Sequence, residues 1–197
     1  MTSLRHSPWI AASIAVSVTL IALSTGTSPP VAQAAAPAVN AAAAQQAWKK
    51  LQSLAGEWTG SAEGTPGKYK LQRSYELILK DQFVYTKSIS QFEGKGGDDG
   101  ERHEDWGFYS YDNARGTVVL RQFLGEGYIN QYVLEEISDD GTSLKFVTES
   151  VENGMPGLRA RVTLHLTSGH EIDEVLDLAF PGQDFALCLK TTLKRKR

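Results

Sequence analysis

The sequence predicts an all-β fold, an antiparallel up-and-down barrel of about ten strands, on three observations. From residue 57 onward, short segments alternate apolar and polar residues and are bounded by Gly, Pro, Asn, Asp or Ser. No stretch of helical periodicity interrupts them. Their connections are short, which favours antiparallel neighbours, and a single sheet of so many strands curls and closes. Closure also removes the exposed edges that a β domain must otherwise protect. A two-sheet sandwich is the alternative architecture, and propeller-type repeats are absent from the sequence.

Along the chain, "EWTGSAE" is the first strand and "KYKLQRSYELIL" the second, with Tyr69, Leu71, Arg73, Tyr75 and Leu77 on one face. "QFVYTKSISQF" follows the Lys80-Asp81 break, and "EGKGGDDGE" is a loop rich in turn-forming residues. "EDWGFYSYD" meets "TVVLRQFL" across a hairpin at residues 113–116. Gly125 and Gly127 introduce "YINQYVLEEI", and Asp139-Asp140-Gly141 turns it into "SLKFVTESV". The segment "VENGMPGLRAR" is a strand junction whose exposed Met155 either caps a barrel mouth or closes a hairpin end. "GLRARVTLHL", "EIDEVLDLAF" and "DFALCLKTTLKR" complete the series.

The 197-residue chain opens with Arg5, His6 and the apolar run "WIAASIAVSVTLIAL", too short and poorly flanked for a stable transmembrane helix. The small residues Ala32 and Ala34 follow in "VAQAA". This is the pattern of a secretory signal peptide spanning 1–34, so the expected location is periplasmic or secreted, an uncleaved anchor being the alternative. No cysteine follows the apolar run, which argues against a lipid anchor, and no membrane span is expected after cleavage. Residues 35–50 read as a linker able to form a short helix, and 51–197 as the barrel domain. Cys188 is the single cysteine and lies in an apolar run, so no internal disulfide exists. Arg5 is the leader's one charged residue, which leaves 19 basic against 23 acidic residues in the mature chain. That balance gives no reason to expect a nucleic-acid partner, and no partner protein can be named from it. The basic end "LKRKR" reads as a solubilising strand terminus.

The stretches "LAGEWTGSAEG", "ERHEDWGFYSYD" and "GYINQYVLEE" resemble those of the calycins, the lipocalin and fatty-acid-binding-protein group. More narrowly, they are similar to the bacterial lipocalin-like and nitrobindin-like ten-stranded barrels, over nearly the whole of residues 51–195. In such barrels Gly56 permits a tight backbone approach and Trp58 buries its ring across one end. The resemblance implies that a basic residue of the last strand, Lys194 or Arg195, covers that ring, a structural closure role. It further implies reversible binding of a small, mostly apolar molecule inside the barrel.

Nitrobindin-like barrels hold haem through a histidine of the last strand region, and here residues 180–197 contain none. The mature chain's histidines are His103, His165 and His170, and His103 matches a family position that is not the iron ligand. No cofactor is therefore expected; a haem-binding protein or haem enzyme is the alternative, with Cys188 as the remaining thiolate candidate. Glu101, His103 and Asp105 would share one strand face, a pattern that reads as a solvated acidic rim more readily than as a metal site. No nucleophile elbow, phosphate loop or dinucleotide fingerprint occurs, so no catalytic residue is assigned and an enzyme reading rests on fold analogy alone.

The strands offer polar residues on aromatic faces instead. "YINQYVL" groups Tyr128, Asn130 and Tyr132 with Leu134; "VVLRQF" groups Val119, Arg121 and Phe123; and Arg73 shares a face with Tyr69 and Tyr75. Turned inward, these faces would line a cavity suited to a carboxylate-bearing apolar ligand, because a buried arginine needs an anionic partner. The expected lining residues are Tyr75, Arg121, Tyr128, Asn130 and Tyr132, with Arg73 and Arg159 behind them. In the alternatives, the arginines pair with acids such as Glu76 or Glu149 or face solvent, or the interior is packed and the barrel serves interaction.

Overall fold

The computed structural model of the protein describes residues 39–65, 67–92 and 100–197. The expected signal peptide and most of the "EGKGGDDGE" segment lie outside the described residues. Helix α1 (Ala41–Gln52) precedes ten strands: β1 (Gly56–Gly64), β2 (Gly67–Ile78), β3 (Phe83–Phe92), β4 (Arg102–Asp112) and β5 (Thr117–Phe123), then β6 (Ile129–Ile137), β7 (Ser143–Glu152), β8 (Arg159–Ser168), β9 (Glu171–Ala179) and β10 (Ala186–Arg195). Each strand pairs antiparallel with the next, and β10 returns to pair with β1, closing a ten-stranded barrel.

The closing seam depends on two glycines. A Cβ on Gly60 would lie 1.8 Å from the Thr192 carbonyl oxygen, and one on Gly64 would lie 2.0 Å from that of Cys188. Only hydrogen fits where the two backbones meet.

Residues 35–50, read above as a linker, hold most of α1, which runs on to Gln52 and is part of the core. The Asn40 side chain accepts from Ala43 N at 2.9 Å, capping the helix start, and Lys49 and Lys50 complement its last turn. Ala44, Ala47 and Leu51 turn their face onto the barrel, while Lys50 donates to the Gly141 carbonyl and Gln52 to that of Asp81. The helix thus spans one end of the barrel, over the β2–β3, β4–β5 and β6–β7 turns.

Trp58 completes that end and is fully buried. Its indole Nε1 donates to Leu54 O at 2.9 Å, and the Arg195 guanidinium lies 4.5 Å from the ring centroid. Arg195 also donates to the carbonyls of Ser53, Ala55 and Gly169. Of the two basic candidates, Arg195 makes the contact; Lys194 alternates to the outer face and faces Glu171 at 3.6 Å. Above Trp58, the inward side chains Val84, Val118, Phe146, Leu144, Leu164, Ile172 and Leu193 are sealed from solvent. The barrel's helix-end half is a packed core.

Candidate functional site

The far half of the barrel is built from the same alternation but filled differently. Register and burial together assign Tyr69, Phe92, His103, Asp105, Gln122, Leu176, Leu178 and Leu189 to inward positions, yet each is only half-buried. This end of the barrel is therefore not sealed as the helix end is. Among these residues Leu176, Leu178 and Leu189 are apolar, whereas His103, Asp105 and Gln122 supply polar groups, with the buried Asn130 beside Gln122.

An ion pair lies between the two halves. Arg73 of β2 reaches Glu174 of β9 through two bonds, Nη1 at 2.7 Å and Nη2 at 3.1 Å. Its Nε donates to Ser88 Oγ at 2.8 Å and Nη1 also to the Tyr75 hydroxyl at 3.2 Å. The side chains keep 12% and 15% of their exposure, so solvent offers little compensation. Burial works against the guanidinium charge, but Glu174 outweighs it and holds the Arg73 pKa well above its ordinary value. Burial also raises the Tyr75 and Tyr132 hydroxyls, which stay protonated as donors. The Tyr132 hydroxyl accepts from Asn130 Nδ2 at 3.2 Å.

Nearer the mouth, His103 Nδ1 is 2.6 Å from Glu126 and Nε2 is 3.1 Å from Glu101, joining the start of β4 to the β5–β6 connection. The Phe92 ring lies edge-on to His103 at 5.1 Å and against Tyr69 at 4.3 Å. Asp105 Oδ1 accepts from Gly125 N at 3.0 Å. Burial, with Glu126 adding to it, pushes the Asp105 carboxyl above its ordinary value.

Of the lining residues read from sequence, Tyr75, Asn130, Tyr132 and Arg73 face inward. Arg73 pairs with Glu174 rather than with Glu76 or Glu149. Tyr128 precedes β6 in the far-end connection and is half-buried. Two expectations are corrected. Arg121 points outward and is exposed, near Ser110, because β5 turns Val118, Leu120 and Gln122 to the interior. Arg159 also faces outward, where it stacks on Phe185 at 4.8 Å and donates to the Gln183 carbonyl. With Arg73 neutralised and Arg121 outside, the argument for a carboxylate ligand loses both its cations. Met155 sits exposed in a far-end loop.

Sequence reasoning missed Glu174, Asp105, Gln122 and Ser88 as interior groups. One signal was available: Ile172, Glu174, Leu176 and Leu178 alternate on a single face, and an acid on an apolar face calls for a buried cation.

The donor set does not fit an axial ligand for haem. β10 carries no histidine, His165 and His170 are exposed, and His103 is engaged by two carboxylates. Burial raises the Cys188 thiol, which bonds Thr65, away from the thiolate form. Among the described residues, no cluster of three or more His, Cys, Asp or Glu side chains is placed to hold a metal ion. No helix there is long and apolar enough to cross a membrane. On the outer wall, Tyr85, Trp106, Phe108 and Phe123 form a ladder of edge-on and tilted rings, with Trp106 and Phe123 exposed.

No family model and no curated protein matches this chain. Solved structures do. The crystal structure of Rv2717c from M. tuberculosis superposes with a TM-score of 0.55 at 18% identity, covering 77% of this chain and 98% of that one. An S-type phycobiliprotein lyase, CPES from Guillardia theta, gives a TM-score of 0.49 at 6% identity, over 78% of this chain and 97% of that one. At such identities the likeness to Rv2717c is one of fold.

Proposed function

We propose that this chain is a binding protein that holds a small, mostly apolar molecule reversibly in the far half of its barrel, without covalent chemistry. The observation that carries this reading is a contrast between the two halves: inward residues are sealed at the helix end, whereas at the other Tyr69, Phe92, Gln122, Leu176 and Leu178 stay half-exposed beside the buried Leu71, Ser90 and Asn130. A concave, largely apolar interior with a few convergent polar groups is the usual form of a small-molecule site. Burying an alkyl chain of about eight carbons would contribute roughly 6 kcal/mol before the costs of immobilisation.

Two further observations favour binding over catalysis. Ser88, an inward hydroxyl, accepts from the Arg73 cation, and among the described residues no base receives its proton. The strongest interior charges neutralise each other instead of facing open space. The leader pattern at 1–34 supports an exported protein acting in the periplasm or outside the cell. Native mass spectrometry of the protein isolated from the cells that make it tests the reading. A bound small-molecule mass, released on denaturation, is expected. Only the apo mass, under conditions that preserve a control lipid complex, would remove its main support.

A further inference from the structure

We infer that the ligand's polar end is a hydrogen-bond donor, above all a protonated amine, received by the Asp105 carboxylate; this rests on the barrel interior being the binding site. The argument starts from what the interior no longer offers. Four of the five N–H groups of Arg73 are already donated, two of them to a carboxylate. A ligand acid would therefore meet a neutralised guanidinium beside Glu174, and repulsion would offset what the last N–H gives.

Asp105 is in the opposite situation. It stands on β4 opposite Ser88 of β3, on the inward face. Gly125 N engages Oδ1 at 3.0 Å, and among the described residues no hydrogen bond reaches Oδ2. That oxygen keeps its acceptor capacity for a donor that a ligand brings. Its charged surroundings are Glu126 from the β5–β6 connection, His103 from its own strand and Arg73 from β2.

The remaining lining fits the same molecule. Asn130 gives one of its two amide N–H groups to the Tyr132 hydroxyl and keeps its oxygen as an acceptor. The Tyr69–Phe92 ring pair offers π faces to a cation, and Leu176, Leu178 and Leu189 take an alkyl body.

The test compares dodecylamine, dodecanol and dodecanoate as competitors of the neutral fluorophore N-phenyl-1-naphthylamine. It runs at neutral pH, below micelle formation, in about 0.5 M salt to screen surface charge. The amine is expected to compete at least about tenfold more tightly than the acid, with the alcohol between. In Asp105→Asn, which keeps an oxygen for Gly125, the amine's advantage should fall to about threefold or less while the melting temperature holds. An acid that competes as well as the amine overturns the proposal, as does an unchanged preference in Asp105→Asn. Failure of all three competitors to displace a bound fluorophore also overturns it, yet leaves the interior as a site. Failure of the fluorophore itself to bind counts against the interior as a site. Should the variant not fold, the comparison on the native chain decides alone.

Discussion

Replacing Glu174 by Gln should be among the most damaging conservative substitutions in the barrel. The change is isosteric, so it removes charge and almost nothing else. Arg73 would keep Ser88, Tyr75 and one oxygen at position 174 as acceptors, but lose its counter-charge and one of the two bonds now at 2.7 and 3.1 Å. Breaking a buried pair by neutralising one partner typically costs about 3–5 kcal/mol, because the surviving charge stays desolvated. About an eighth of each side chain still meets solvent, which argues for the lower end, near 3 kcal/mol. For a domain of this size each kcal/mol moves the melting temperature by roughly 2–4 °C, so a fall of about 6–12 °C is expected. The assay is thermal and urea unfolding by circular dichroism at neutral pH. The double change Arg73→Met with Glu174→Leu is the control, expected within about 1 kcal/mol of the native chain because it removes both charges. A fall of less than about 2 °C for Glu174→Gln would mean that water already screens the pair, and the account of it as a buried ion pair would be wrong. A double variant as unstable as the single one would refute the reasoning differently, by showing that shape rather than charge sets the cost.

Three other outcomes follow from the same geometry. Arg195→Ala should lose about 1–3 kcal/mol in urea unfolding, since it uncovers Trp58 and takes the donor from the part-buried Ala55 carbonyl, while Lys194→Ala, on the outer face, should stay within about 0.5 kcal/mol. Equal effects would contradict the assignment of ring cover to Arg195. Gly60→Ala should yield little folded protein in a solubility and dichroism screen, as its methyl group would meet the Thr192 backbone at 1.8 Å; normal folding would mean that the seam is looser than described. The hydrogen bonds from Lys87 and Trp106 hold the Glu104 carboxyl at about 2, down from 4.5. Because its folded value is depressed, its contribution to stability is complete above about pH 4.5 and fades as pH falls toward 2. Carboxyl NMR titration should find that midpoint and should find it raised in Lys87→Met; a native midpoint near 4.5 would contradict the pairing.

The barrel was legible because its signal is repeated in every strand. Alternation recurs between turn residues, and a slip of one residue in any strand would turn a core face to water. Which face points inward was less legible. In "VVLRQF" both sets begin with valine, and Val118 and Val119 are both buried, so the pattern could not choose between Arg121 and Gln122. In "YINQYVL" the set of Asn130 and Tyr132 turns inward. The Arg73 partner lies 101 residues away, a separation that no local rule spans. The role of α1 was hidden for a related reason. Two of its three buried residues are alanines, whose small side chains give weak amphipathic contrast in a leader already rich in alanine.

The central claim is that ligands enter the far half of the barrel rather than settle on the aromatic ladder outside. Leu178 faces inward between Ala160 and Ala186, so Leu178→Trp fills that space, whereas Phe123→Ser alters only the outer wall. The measurement is a titration of N-phenyl-1-naphthylamine into the native chain and both variants, with melting temperatures recorded alongside. The account predicts that Leu178→Trp loses at least about tenfold in affinity without loss of stability, and that Phe123→Ser binds as the native chain does. Native affinity in Leu178→Trp, with binding abolished in Phe123→Ser, would contradict it.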